Sequence, residues 1–322
     1  MTGILRHLLV ATDGSATGNR AVAFGIALAL RHDSTILFCS VVDHAAAIGE
    51  SSAANGGFGV LIPLVQTLDD AADSILAEAA KRATGAGVTA TTAVLDGHSA
   101  TAIVMLAQER HVDAIVMGTQ GKRGFERFFM GSTADGVLRR TDVPTFVVPP
   151  GAGDAEPSFE RILIAVDDSD PSDAAATFAR DFAKAEGAQL IFCGVLDTSD
   201  LFAKASTYGY DPTSMLDELH ASASSLVARQ TDHARVGDLA IDSIIIEGDP
   251  AEKILESAAA RHVGLIVVGT HGRRGLRRLF VGSVAESVVR RSTVPVIVVR
   301  TSPGHDKTQR ESALATSAIC YT

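Results

Sequence analysis

The residues best suited to chemistry occur in one frame, written twice. GTQGKRGFERFFMGST runs from Gly118 to Thr133, and GTHGRRGLRRLFVGSV from Gly269 to Val284. In each, a Gly is followed by two residues, a second Gly, nine residues and a Gly-Ser pair. Gly118, Gly121, Gly131, Ser132 and Thr133 thus match Gly269, Gly272, Gly282, Ser283 and Val284. Glycine lets the backbone turn tightly and approach a ligand without interference from Cβ. A Gly-Ser pair before a helical pattern places exposed N–H groups and the positive end of a helix dipole at one point, which suits an anion. The Ser hydroxyl either caps that helix or donates to a phosphate oxygen. Lys122 and Arg123, matched by Arg273 and Arg274, would neutralise remaining phosphate charge. Together these residues describe a phosphate cradle built without the GxxxxGK[ST] sequence, which the chain lacks. The plainer alternative is a glycine-rich loop with a serine cap; recurrence of the frame favours anion binding.

A second pair of candidates ends the first strand of each copy, where Asp13 is preceded by Thr12 and Asp167 by Val166. A carboxylate at a strand's carboxyl end accepts from ribose hydroxyls in dinucleotide folds. It equally serves as a turn or helix-capping aspartate, and the residues alone leave both readings open. His111 and His262, in matching contexts, suit the C-terminal end of a helix dipole, as do Arg139-Arg140 and Arg290-Arg291.

The elements that must position these groups are also duplicated. LLVATDGS (8–15) matches ILIAVDDS (162–169), ILFCSVVD (36–43) matches LIFCGVLD (190–197), and VLRRTDVPTFVV matches VVRRSTVPVIVV. The Pro-, Gly- and acid-rich stretch PPGAGDAEPSFE separates the copies. The expected organisation is domain 1 over residues 1–149, a linker over 150–159, domain 2 over 160–300 and a disordered polar tail over 301–322. In the first copy, strand patterns over 8–12, 35–42, 88–95, 114–118 and 145–148 alternate with helical patterns over 16–31, 68–84, 99–110 and 132–140. The Gly/Ser-rich insertion IGESSAANGGFGVLIP (48–63) reads as mobile, and both it and ASTYGYDP (205–212) are placed to act as lids. Continuous apolar strands such as AIVMG and LIVVG imply burial on both faces, hence a parallel sheet covered by helices. Ligands of such sheets bind beyond the carboxyl ends of the strands, at the switch in strand order; the glycine frame starts there.

Composition bounds the partners. The 322 residues are 46% hydrophobic and 20% charged, enough for two cored domains, and the net charge of −10 argues against general nucleic-acid or anionic-membrane binding. Seven of the 28 Lys and Arg nevertheless fall in the two glycine windows. Cys39, Cys193 and Cys320 form no metal-spaced pair, and their odd number argues against a disulfide framework. No leader pattern or 18-residue apolar run appears, so the expected compartment is the cytoplasm.

The ATDGS at the first strand and the G-2x-G-9x-G-S frame at the fourth resemble the universal stress protein family, and the tandem arrangement resembles its two-domain members. The resemblance spans about residues 4–149 and 159–300 and lies with the ATP-binding branch. It implies two Rossmann-like α/β domains, each a five-stranded parallel sheet of order 3-2-1-4-5. It implies ATP, with Mg2+, in each half. In the first half Thr12, Asp13, Val41, Met117, Gly118, Gly121, Lys122, Arg123, Gly131, Ser132 and Thr133 would hold it; Val41 would meet adenine through its backbone. The second set is Val166, Asp167, Val195, Val268, Gly269, Gly272, Arg273, Arg274, Gly282, Ser283 and Val284. Asp168 replaces Gly14 and adds a carboxylate beside the second site. The last strands of the two copies would pair as an intramolecular pseudo-dimer, with a homodimer and an unknown protein partner as further associations. The implied role is a stress-response adenylate sensor with at most slow ATP hydrolysis or self-phosphorylation at Ser132, Thr133 or Ser283. A nucleotide-independent interaction module, or an enzyme cleaving ATP between its α- and β-phosphates, are the alternatives.

Overall fold

The computed structural model describes residues 4–53, 58–119, 130–151, 157–198, 212–235, 237–270 and 282–300. The first half runs β1 (His7–Ala11), α1 (Ala16–His32), β2 (Thr35–Val42), α2 (His44–Ala53), α3 (Phe58–Gly85), β3 (Ala90–Asp96), α4 (Ser99–Glu109), β4 (Ala114–Gly118), α5 (Ser132–Arg140) and β5 (Thr145–Val148). The second runs β6 (Arg161–Val166), α6 (Asp170–Glu186), β7 (Gln189–Leu196), α7 (Pro212–Ala234), β8 (Ile241–Glu247), α8 (Pro250–Ala260), β9 (Leu265–Gly269), α9 (Ser283–Arg291) and β10 (Val296–Val299).

All ten strands form one sheet of order β3-β2-β1-β4-β5-β10-β9-β6-β7-β8. Within each half the five strands are parallel in the expected 3-2-1-4-5 order. At the middle, β5 and β10 pair antiparallel, with Phe146 opposite Ile297, Val147 opposite Val296 and Thr145 opposite Val298. VPTFVV and VPVIVV are matching segments, so this register is self-complementary about the Phe146–Ile297 pair, as a two-fold contact requires. The two parallel sets therefore run in opposite directions.

Strand alternation sorts the core onto two faces. Leu8 and Val10 of β1, Phe146 of β5 and Ile162 and Ile164 of β6 join α1 and α6 in one buried cluster that crosses the seam. On the opposite face the core divides in two: Leu9, Ile115 and Met117 pack under α4 and α5, and Leu163, Ile266 and Val268 under α8 and α9. Ser15 and Ser169 cap α1 and α6 by accepting from Gly18 N–H and Ser172 N–H. Each of these helices closes on a left-handed residue, Asp33 (φ 55°) and Gly187 (φ 66°).

The insertion read as mobile carries regular structure. Its described residues are helical, 48–53 in α2 and 58–63 in α3, while 54–57 lie outside the described residues. Asp43 Oδ1 accepts from Ala46 N–H at 2.9 Å and starts α2. Pro63 sits in the second turn of α3, where Thr67 Oγ1 donates to its carbonyl at 2.7 Å. In α2 the Asp43 cap offsets the weak helix propensity of glycine and serine. The outer strand starts at Ala90 rather than Val88, because Val88 N–H closes α3 on Ala83 O. Most of the second insertion and the whole tail from Thr301 lie outside the described residues.

Candidate functional site

Each half gathers its described candidate residues at the carboxyl ends of its central strands. In the first, Thr12 N–H extends the ladder beyond β1 to Cys39 O at 3.0 Å. The chain then turns: Thr12 Oγ1 accepts from Gly14 N–H at 3.2 Å, Asp13 Oδ1 from Ser15 N–H at 3.0 Å, and Ser15 Oγ from Gly18 N–H at 3.1 Å. Gly14 has φ 75°, a conformation that favours glycine. The turn role of Asp13 is thus observed directly.

The second half builds the same loop with different residues. Val166 stands where Thr12 stood, and Ser172, third in its helix, where Gly18 stood. A Cβ on Gly18 would lie 2.8 Å from Asp13 Oδ1 and 2.9 Å from Thr12 Oγ1, so the threonine and a larger residue exclude one another. With valine on the strand, Ser172 supplies the hydroxyl instead, accepting from Asp167 N–H at 2.9 Å. Asp167 Oδ1 accepts from the Ser169 hydroxyl. The extra carboxylate, Asp168, is answered by Arg229 of α7 at 2.8 Å; the pair is half exposed, so its net effect on the site is small.

The glycine frame divides into two functions. A Cβ on Gly118 would meet the backbone of Thr17 at 3.0 Å, and one on Gly269 would meet Pro171 O at 2.8 Å. These glycines admit the first turn of α1 and α6 against the strand ends. Thr119 N–H then donates to Val148 O at 3.1 Å, and Gly131 N–H returns to Thr119 O at 2.7 Å. Thr270 repeats this with Val299 O at 3.1 Å and with Gly282 N–H. The loop is closed at its neck, which fixes the spacing of the frame. Gly121, Lys122, Arg123, Gly272, Arg273 and Arg274 lie outside the described residues.

At the neck, α5 and α9 begin. Their caps are Gly131 and Gly282, not the serines, and neither has a side-chain cap bond. Ser132 and Ser283 are the first helical residues, which corrects the capping alternative. Gly131 O accepts from Asp135 N–H at 3.0 Å and Gly282 O from Glu286 N–H at 2.9 Å. Among the described residues, none accepts from the N–H groups of Ser132, Thr133 or Ala134, nor from those of Ser283, Val284 or Ala285. These are orphan donors at a positive dipole end. Thr119 Oγ1 is buried beside them with no partner among the described residues.

Other candidates fall into place around this centre. The carbonyl of Cys39 points to β1 and that of Val42 to β3, where it accepts from Gly97 N–H at 2.9 Å. Alternation therefore turns the N–H and C=O of Val41 toward the gap beyond the end of β1. Val195 is placed alike, since Leu196 O accepts from Gly248 N–H at 2.9 Å on the β8 side. The side chains of Met117, Val166 and Val268 are buried in the core and bring only their backbone near the strand ends. Arg139 is committed to a forked pair with Asp135 at 2.7 Å, and Arg140 to Gly136 O at 2.9 Å. His111 and His262 hold left-handed backbone, φ 48° and 52°, at the ends of α4 and α8, a turn role.

The sequence reading missed His44 and Thr119. His44 sits between two carboxylates, Nε2 to Asp69 at 2.8 Å and Nδ1 to Asp96 at 2.9 Å, tying α2 to α3 and to the end of β3. The hydrogen bond to Asp69 is the largest influence raising its pKa above 6.5. In the second half His220 of α7 pairs with Glu247 at the end of β8, at 2.6 Å. Only the repeated Gly-Thr pair (118–119 and 269–270) could have drawn attention to the threonines. Cys39 and Cys193 are buried, and burial pushes both thiols up to about 12. Among the described residues no cluster of three or more His, Cys, Asp or Glu could hold a metal ion, and no helix is long and apolar enough to cross a membrane.

A doubly wound α/β sheet carrying uncapped helix N-termini at its switch points, twice over, defines a tandem Rossmann-like protein. The family model described as the universal stress protein family matches residues 5–149 and again 158–300, and the chain belongs to that family. It is 29% identical over 201 residues to a universal stress protein of Mycobacterium tuberculosis, a match covering 62% of this chain and 65% of that relative. The chain thus spans a little under two thirds of that relative's length. One from Methanocaldococcus jannaschii is 32% identical over 142 residues, covering 44% of this chain and 82% of its own. The fold is similar to the crystal structure of a universal stress protein from Archaeoglobus fulgidus, at TM-score 0.64 and 21% identity, covering 94% of this chain and 99% of that one.

Proposed function

We propose that residues 1–149 and 160–300 are two domains that each bind an adenine nucleotide, ATP with Mg2+, and that the chain acts as a stress-response adenylate sensor through conformation or partner binding. The observation that carries this reading is the pair of glycine-capped helices, α5 and α9, whose first-turn N–H groups have no acceptor among the described residues. A phosphate group satisfies such donors and the dipole behind them. Ser132 and Thr133, or Ser283, would add hydroxyl donors, and the outward-turned backbone of Val41 or Val195 offers a donor and an acceptor to an adenine edge. Asp13 and Asp167 stand between these two ends, where a ribose would lie. ATP would supply a transferable phosphoryl group; the chain would supply binding and orientation, consistent with slow hydrolysis or self-phosphorylation at most.

The test is calorimetric titration of nucleotide-free protein with Mg-ATP, beside Gly131→Ala and Gly282→Ala. Both glycines have negative φ (−62° and −53°), so alanine imposes no left-handed strain. Near two ATP per natural chain, with one site weakened in each variant, is the expected result. No heat and no thermal stabilisation would overturn the reading.

A further inference from the structure

His32 is the last residue of α1 and Glu186 the last of α6, two helices of 17 residues that match in the duplication. They therefore occupy equivalent positions, and the structure brings them together across the seam between the halves. His32 Nε2 lies 2.8 Å from Glu186 Oε1, and both side chains are 3% exposed. Arg31 completes the cluster, its Nε and Nη2 each 2.7 Å from Glu186 Oε2. The residue equivalent to Arg31 is Ala185. The His32 ring packs on Phe182 at 5.4 Å between centroids, and the Arg31 guanidinium lies over Phe159 at 5.3 Å.

We propose that the Arg31–His32–Glu186 cluster makes this seam selective for unlike halves, so that the first half seats on the second and not on a second copy of itself. The sheet contact does not make that choice. Its register is centred on equivalent residues, so a β5–β5 or β10–β10 contact would satisfy the same backbone groups. The helix ends do discriminate. Two first halves would bury His32 against its own copy and set the part-exposed Arg31 beside it, without the Glu186 carboxylate that receives both. Two second halves would bury Glu186 against Glu186, and two carboxylates sharing a dry site cannot both ionise. Removing the partner of a buried charge is strongly destabilising even where the pair itself contributes little net stability. Such a pair acts chiefly through what it excludes. The duplication has thus turned a self-facing position into a complementary one.

The experiment uses the full chain, unfolded and refolded at low and high chain concentration, with mass read by light scattering and Tm by calorimetry. His32→Glu and Glu186→His alone should each lower Tm by roughly 5–10 °C and yield higher-mass species that grow with chain concentration. The reciprocal exchange, His32→Glu with Glu186→His, should recover most of both losses. A neutral pair, His32→Gln with Glu186→Gln, guards against simple misfolding. It should keep Tm near the natural value yet form the higher-mass species. An exchange no better than the sum of its single variants would overturn the proposal. So would a neutral pair that stays at the natural mass at every concentration.

Discussion

Gly269 offers the sharpest test of how the glycine frame divides its work. A Cβ there would stand 2.8 Å from Pro171 O, 2.9 Å from Pro171 C and 3.1 Å from Ser172 N. All three are backbone atoms at the start of α6, and Pro171 holds its own φ rigidly. No side chain can swing aside, so the helix must back away from β9 by several tenths of an ångström. Forcing a methyl into a packed site costs about 1–3 kcal/mol, and a backbone wall places Gly269→Ala toward the upper end. At about 2–4 °C per kcal/mol, Tm should fall by roughly 4–10 °C. Gly118→Ala meets Thr17 at 3.0 Å and should lose less. Differential scanning calorimetry with and without Mg-ATP is the assay, and both losses should persist in its absence. Gly269→Ala melting within about 1 °C of the natural chain, or a loss confined to nucleotide-bound protein, would refute the packing role.

Three further outcomes are expected. His44 faces Asp69 and Asp96, and its folded pKa is raised, so its contribution is fully present below 6.5 and fades as pH rises through the folded value. The Tm gap between the natural chain and His44→Gln should therefore shrink from mildly acidic to alkaline pH; a gap that widens would contradict this. Burial pushes the Glu186 carboxyl up, but His32 at 2.8 Å and the Arg31 guanidinium at 2.7 Å outweigh it and hold it below 4.5. Its contribution should be present above that value and vanish as pH falls through the folded one, so natural chain and Glu186→Gln should converge in acid melts. Cys39 and Cys193, with thiols near 12, should resist a thiol reagent at pH 8 until denaturant is added, as mass spectrometry of labelled peptides would show.

The sequence disclosed most of the architecture because its signals are local and repeated. Continuous apolar strands such as AIVMG announce two-sided burial, and matching segments fix which strand answers which. The frame from Gly118 to Ser132 was visible for the same reason, but its division of labour was not. That Gly118 admits Thr17, and that Gly131 rather than Ser132 caps α5, depends on where distant backbone comes to rest. The helical character of 48–53 and 58–63 was hidden by glycine and serine; in α2 their weak propensity yields to capping by Asp43. His44 pairs with residues 25 and 52 positions away, a relation no spacing encodes. His32 and Glu186 were hidden differently: α1 and α6 correspond in length and place but differ at most positions, so nothing singles this pair out until the seam brings it together.

The antiparallel junction of β5 with β10 has a geometric consequence for the whole molecule. Because every other strand runs parallel within its own half, the carboxyl ends of the two sets emerge at opposite rims of the sheet. The two candidate sites therefore look away from each other, like the two ends of a connector rather than the jaws of a clamp. One small molecule cannot bridge them. A partner sensing both must reach around the sheet, and two partners can dock from opposite sides without colliding. Among the described residues the two sites communicate through the eight strand residues of the seam, the α1 and α6 ends packed across it, and Arg139 of α5, 3.9 Å from Glu286 of α9.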